Sequence, residues 1–234
     1  MVEIFNKECY TCFLKSTINY LINDEDIDDI KEQFLKYINN DLEKYHEFIA
    51  ELPMIKEELK QDLEFFLESD PAIDSKDEVI WAYPGYKAIA CYRIAHALYM
   101  QGLKVQSRVI SEYAHSLTGI DIHPAAKIAS PFFIDHGTGI VIGETTIIDK
   151  YVKLYQGVTL GALSLANARA VKGIKRHPMI GKNVTIYASA TILGNIRIGD
   201  NVTVGANVFL TDNVDDNVMV TISKPELVIK EKKW

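Results

Sequence analysis

Little in this 234-residue chain suits a disulfide scaffold, a membrane span or a nucleic-acid surface. Its three cysteines are too few for a disulfide framework. No apolar stretch approaches the ~20 residues of a membrane helix, so no membrane association is expected. Basic residues are outnumbered, 25 Lys and Arg against 32 Asp and Glu, for a formal charge of −7. That balance argues against general nucleic-acid binding, although local Lys and Arg can still focus an anionic small ligand. The opening MVEIFNKECY lacks the basic-then-apolar order of a secretory signal, and a cytoplasmic location is the default expectation. No two histidines stand at close metal-ligand spacing, which weighs against a zinc hydrolase or hydratase, and no metal site is expected. Cys9 and Cys12 form a lone C-x-x-C within a helical pattern; without a second pair they are read as packing residues.

What is present divides into two grammars. With 48% apolar and 24% charged residues, the chain can bury a sizeable core in one domain or two small ones. Up to about residue 118 the spacing is helical. Ile27, Ile30, Phe34, Ile38, Leu42 and Ile49 share one helix face, and Ile55, Leu59, Leu63 and Phe66 or Leu67 mark a second. Ser69-Asp70-Pro71-Ala72 is a turn-like break. Pro84 suits the first turn of a further helix and Gly102 its end; Tyr86 to Met100 is apolar nearly all round and should be buried. A stretch with Val105, Val109, Ile110 and Tyr113 leads to Gly119.

After Gly119 an aliphatic residue recurs every sixth position: Ile122, Ile128, Ile134; then Ile142, Ile148, Leu154, Leu160; then Ile180, Ile186, Ile192, Ile198, Val204, Leu210. Four places after many of these comes a second small or β-branched residue, through Val208 and Val214. Six matches neither the helical 3.6 nor simple alternation. Short strands turning corners at fixed intervals produce it, the pattern of a β-solenoid. The phase is expected to slip at two places only. One is Gly137-Thr138-Gly139, just after Asp135-His136; the other runs from Ala162 to Pro178 and ends on Arg176-His177. Insertions in such repeats often lie on the binding face.

Several residues there can carry chemistry. A neutral imidazole at His136 can take a proton from a hydroxyl, best when a carboxylate orients it. Asp121, fifteen residues earlier and so close to one solenoid turn, is a candidate for that carboxylate; a plain surface Asp–His pair is the alternative. Arg176 offers a planar fork for a carboxylate, or it is a solvated loop tip. Lys172, Lys175 and Lys182 add local positive charge. Asp70 either meets a ligand ammonium group or caps its turn. His123 reads as a support at the start of the solenoid, and His46, His96 and His115 as structural or surface residues.

Asp70-Pro71-Ala72, YKAIACYRIAH (86–96), DIHPAAKI (121–128), IDHGTGIVIGET (134–145), Gly157-Val158-Thr159-Leu160-Gly161, Arg176-His177-Pro178 and ILGNI (192–196) together resemble the bacterial and plant serine O-acetyltransferases. The resemblance runs from about Leu52 to Leu210, and the ordered set DIHPAAKI, DHGTGIVIGET and KRHP is its specific part. It implies an α+β fold: an α-helical N-terminal domain over 1–118, then a left-handed parallel β-helix over 119–222 with a loop at 162–178, and a C-terminal tail over 223–234. It implies transfer of acetyl from acetyl-CoA, a co-substrate rather than a tightly bound cofactor, to L-serine for cysteine synthesis, with L-cysteine as feedback inhibitor. It further implies a homotrimer or dimer of trimers with active sites between subunits. By position His136 resembles the general base and Asp121 its orienting partner. Asp70 and Asp135 resemble the ammonium contacts, and Arg176 and His177 the carboxylate contacts. Gly161, Ala162, Ala188 and Ala206 fall where the pantetheine arm lies along the solenoid.

Departures qualify the match. Ala162 replaces a usual second glycine, and the loop from Leu163 to Lys175 is long, which places the chain near a long-loop branch. The helical domain is short, which counts against a hexamer built through it. Ser223-Lys224-Pro225-Glu226 replaces the usual Gly-Val-Pro-Ala, so the adenine end of the cofactor site is expected to differ. The sequence ends Glu231-Lys232-Lys233-Trp234 without the isoleucine that docks family members into O-acetylserine sulfhydrylase, which counts against that complex. The rival readings are a solenoid acyltransferase for another hydroxyl acceptor, such as homoserine or a sugar, and a catalytically silent scaffold.

Overall fold

The computed structural model describes residues 7–23, 27–38, 40–164 and 174–223. Among them are six helices: α1 (Lys7–Asn23), α2 (Ile27–Tyr37), α3 (Leu42–Ser69), α4 (Lys76–Ala82), α5 (Pro84–Met100) and α6 (Lys104–Thr118). The face expected to run from Ile27 to Ile49 is split. Asn40 takes a left-handed φ of 62°, and Asp41 caps α3 by accepting the Lys44 N–H at 3.0 Å. The two expected helices therefore trade a boundary, because α3 runs 28 residues straight through Pro53 and absorbs the second face. Pro84 opens α5, whose residues are buried almost all round, and Gly119 ends α6 at φ 70°. Cys91 is buried but Cys12 is exposed, which corrects its reading as a packing residue; the side chain of Cys9, Lys172 and the tail from Lys224 lie outside the described residues.

The remainder winds as a parallel β-helix with three faces. Face A stacks β1 (Asp121–Ile122), β4 (Val141–Ile142), β7 (Thr159–Gly161), β10 (Thr191–Leu193) and β13 (Phe209–Leu210). Face B stacks β2 (Lys127–Ile128), β5 (Ile147–Ile148), β8 (Met179–Ile180) and β11 (Arg197–Ile198). Face C stacks β3 (Phe132–Asp135), β6 (Val152–Tyr155), β9 (Thr185–Ile186), β12 (Thr203–Val204) and β14 (Met219–Val220). The periodic aliphatics point inward in columns, such as Ile122, Ile142, Leu160 and Ile192, all nearly or fully buried. Burial of that kind stabilises by roughly 25 cal/mol per Å² of apolar surface.

Register locates the slips. Partners stand twenty residues apart at Asp121↔Val141 but eighteen at Val141↔Thr159, so two extra residues sit in the corner from β3 to β4, as expected. Ile147↔Met179 spans thirty-two, placing the long loop between β7 and β8. A third slip was not expected: Ile198 pairs with Val214, sixteen residues on, and Thr203 with Met219. The last coil is two residues short.

The helices are fixed to the first coil by polar contacts. The fully buried Asp62 carboxylate accepts from Arg93 Nε at 2.7 Å and Nη2 at 3.0 Å, from the Ser130 hydroxyl at 3.0 Å and from the Phe132 N–H at 2.9 Å. The Tyr92 hydroxyl donates to Ala126 O at 2.6 Å and accepts the Ile128 N–H at 3.1 Å. At the N-terminus of α5, a Cβ on Gly85 would lie 2.2 Å from the Ile134 carbonyl oxygen. Only glycine lets that helix sit directly on β3.

Candidate active site

Two groups of candidate site residues flank face A, one at each edge. At the corner between faces C and A, β3 ends on Asp135 and His136 follows in the left-handed region at φ 55°. The two inserted residues and Gly137 and Gly139, both with positive φ, let the chain bulge so that His136 stands clear, its side chain 71% exposed. Its Nε2 lies 3.7 Å from Asp135 Oδ1. Asp70 joins this edge from the end of α3. Its Oδ1 accepts the Ala72 N–H at 2.9 Å and its Oδ2 the Tyr83 hydroxyl at 2.8 Å. Burial, the Asp70 hydrogen bond and the charges of Asp70, Glu78 and Asp135 push the Tyr83 phenol up to about 12. Tyr155, the register partner of Asp135, is raised by burial and by the charges of Asp135 and Asp70, and its ring stacks on Tyr187 at 5.0 Å.

Asp121 starts the strand beside this corner: Gly139 N–H donates to Gly119 O at 2.8 Å and Asp121 N–H to Ile140 O at 2.9 Å. The two segments lie on adjacent coils, but the register partner of Asp121 is Val141 rather than His136. Among the described residues, however, no hydrogen bond joins Asp121 to His136, and the carboxylate facing the imidazole is Asp135.

The other edge lies between faces A and B, where the long loop returns. Arg176 pairs with Glu144 through Nη2 and Oε2. Partial burial works against the Glu144 carboxylate, but the Arg176 guanidinium outweighs it and holds that carboxyl below its ordinary value. Thr145 gathers the loop end: its Oγ1 accepts the Arg176 N–H at 3.0 Å and the His177 N–H at 3.1 Å, and lies 2.8 Å from His177 Nδ1. His177 Nδ1 also accepts the Thr145 N–H at 3.1 Å, which fixes the neutral tautomer with its proton on Nε2. The His177 ring lies on Gly143, where a Cβ would come within 2.2 Å of Nε2. Burial, with Arg176 and Lys175 close by, pushes His177 down to about 4. Burial likewise lowers Lys175 to about 8. His123 is lowered by burial and by Arg108 and Arg176, against the pull of Glu144 and Asp121.

The four small residues assigned to the cofactor divide in the same way. Gly161 and half-buried Ala162 stand where the long loop leaves β7. Ala188 and Ala206 stack at the opposite edge on successive coils, with the Asn207 N–H donating to Ala188 O at 2.9 Å.

The structure thus gathers Asp70, Asp135 and His136 at one edge and Arg176 and His177 at the other. The short strands of face A, at about 3.3 Å per residue, put the edges on the order of 10 Å apart. The sequence did not single out Tyr83, Tyr155, Glu144 or Thr145, although Glu144 and Thr145 lie inside the IDHGTGIVIGET stretch.

Parallel strands stacked coil on coil at a six-residue period, with the polar groups at the corners, define a hexapeptide-repeat transferase solenoid. The profile of that family, bacterial transferase hexapeptide (six repeats), matches residues 177–212. A serine acetyltransferase of Helicobacter pylori is 48% identical over 139 residues, which cover 59% of this chain and 78% of that protein. Serine acetyltransferase isoform 3 of Entamoeba histolytica, solved in complex with cysteine, superposes with a TM-score of 0.82 at 37% identity, covering 94% of this chain and 84% of that one. The chain belongs to the serine acetyltransferase family. A plasmid-borne serine acetyltransferase of Synechococcus elongatus is 49% identical over 170 residues, 71% of this chain, and the match spans 53% of that longer protein. A serine acetyltransferase solved with CoA superposes with a TM-score of 0.69 at 31% identity, covering 88% of this chain and 79% of that one.

Proposed function

We propose that this protein transfers an acetyl group from acetyl-CoA to the hydroxyl of L-serine, giving O-acetyl-L-serine for cysteine synthesis. The observation that carries the reading is the split set of charges: carboxylates with an exposed imidazole at one edge, and an arginine with a histidine at the other. An α-amino acid holds its ammonium and carboxylate on one carbon, so groups at opposite edges of one chain suit it poorly, the more so because Arg176 is tied to Glu144 at its own edge. Two copies of the chain, joined so that opposite edges meet, would complete the site. A trimer closes such a head-to-tail arrangement.

In that site Asp70 and Asp135 receive the ammonium group, and Arg176 and the His177 Nε2–H receive the carboxylate. His136 takes the proton from the serine hydroxyl as its oxygen attacks the thioester carbon. The carbon–sulfur bond then breaks and coenzyme A leaves as the thiol after taking up a proton. Asp121, at the strand beside the His136 corner, steadies the imidazolium that forms. Gly161, Ala162, Ala188 and Ala206 leave room for the pantetheine arm to lie against backbone. Cysteine carries the same ammonium and carboxylate as serine, so it would compete there; the cysteine-bound relative supports this.

Thiol release from acetyl-CoA, measured with and without L-serine, tests the reading. Release should depend on serine, and His136→Ala should lower turnover by about 10²–10⁴ while coenzyme A binding persists. Release driven only by another acceptor, or none with any, would refute it.

A further inference from the structure

We propose that Tyr83 is a positioning residue for the acceptor: its hydroxyl holds the Asp70 carboxylate in the orientation that meets the α-ammonium group. The inference rests on reading Asp70 as an ammonium contact, and it adds the residue that makes that contact specific.

Asp70 stands at the exit of α3, where a carboxylate would ordinarily be free to rotate. Here each oxygen has its own donor, the Ala72 N–H on Oδ1 at 2.9 Å and the Tyr83 hydroxyl on Oδ2 at 2.8 Å. The Ala72 bond is local and would form in any such turn. The Tyr83 bond is not local, and it connects the carboxylate to the rest of the molecule.

Tyr83 is itself well anchored. It closes α4, its N–H donating to Val79 O at 3.2 Å, and it precedes Pro84 at the start of α5. Its ring meets Phe66 edge-on at 6.1 Å, and Phe66 meets Phe133 at 4.7 Å. Phe133 belongs to β3, the strand that ends on Asp135. Two residues beyond Tyr83, Gly85 rests on the carbonyl of Ile134 in the same strand. Tyr83 therefore ties a carboxylate from the helical part to the strand that presents Asp135 and His136. Its phenol is raised to about 12, so the hydroxyl remains a donor at any pH the enzyme works in.

Tyr83→Phe keeps the ring and its packing and removes only the hydroxyl. The expected result is a KM for L-serine raised about tenfold, the usual effect of losing a hydrogen bond to a charged group. The kcat and the KM for acetyl-CoA should stay within about twofold. The inhibition constant of 3-hydroxypropionate, which is serine without its amino group, should not move. Asp70→Asn should raise the serine KM at least as much, and Tyr83→Phe should add little on that background. An unchanged serine KM in Tyr83→Phe, with a raised one in Asp70→Asn, would overturn the role of Tyr83 and leave the ammonium reading intact. An unchanged serine KM in Asp70→Asn would overturn both. Equal weakening of serine and 3-hydroxypropionate in Tyr83→Phe would mark a structural defect and overturn the proposal.

Discussion

His177 is a buried imidazole held neutral by its surroundings, which makes it a stability determinant apart from the substrate contact proposed for it. Its value falls from an ordinary 6.5 to about 4 in the fold. Protonation therefore favours the unfolded chain: the contribution is fully present above pH 6.5 and is lost as pH falls from 6.5 towards 4. The loss should amount to about 1–3 kcal/mol. Thermal unfolding followed from pH 7 to pH 4.5 should show a drop that is smaller in His177→Asn, and equal drops in both proteins would contradict this. At the residue scale the sequence was only partly legible. Asp135-His136 and Arg176-His177 stood out because the repeat breaks beside them. Tyr83, Glu144 and Thr145 did not, because their partners lie 13 to 32 residues away and no local pattern marks such pairings.

At the scale of elements, the corners of the solenoid explain much of its polar sequence. From the second coil onward, the corner from face B to face C carries a left-handed residue: Tyr151, Asn183, Asn201 and Asn217. Asparagine tolerates that region better than most residues. Its amides also stack: Asn183 donates to Asn201, and Asn201 to Asn217, each at 2.9 Å. Asn201→Ala should lower stability by about 1–3 kcal/mol, because it loses both bonds and strains φ. Asn201→Gly loses the bonds but relieves the backbone, and should unfold at a higher temperature than the alanine variant; the reverse order would contradict the account. The same repeat explains the slip that the sequence concealed. From Ile180 onward apolar residues stand at both the first and fifth places of each hexapeptide, so deleting two residues moves one set onto the other. Val214 lies four places after Leu210 and six before Val220, and it fits either phase. The solenoid was legible; its shortened last coil was not. The helix boundary at Asn40-Asp41 was hidden for a related reason, since Ile38 and Leu42 keep the apolar spacing across the break.

The described residues form a stack of coils with a helical part fixed to the first coil, and the candidate site residues stand at opposite edges of one face. On the proposed reading each chain offers half of what an amino acid needs: Asp70, Asp135 and His136 on one edge, Arg176 and His177 on the other. Spacing along a solenoid places residues on coils and corners without showing that division; only the family resemblance pointed to sites between subunits. Mixing subunits tests it. His136→Ala and Arg176→Ala should each be nearly inactive alone, since one damages the first edge and the other the second. Unfolded together and reassembled in equal amounts, they should recover serine-dependent thiol release at about a quarter of the wild-type level, because random pairing joins two intact edges in that share of sites. Activity that stays at the level of the separate variants would contradict a site built from two copies of the chain.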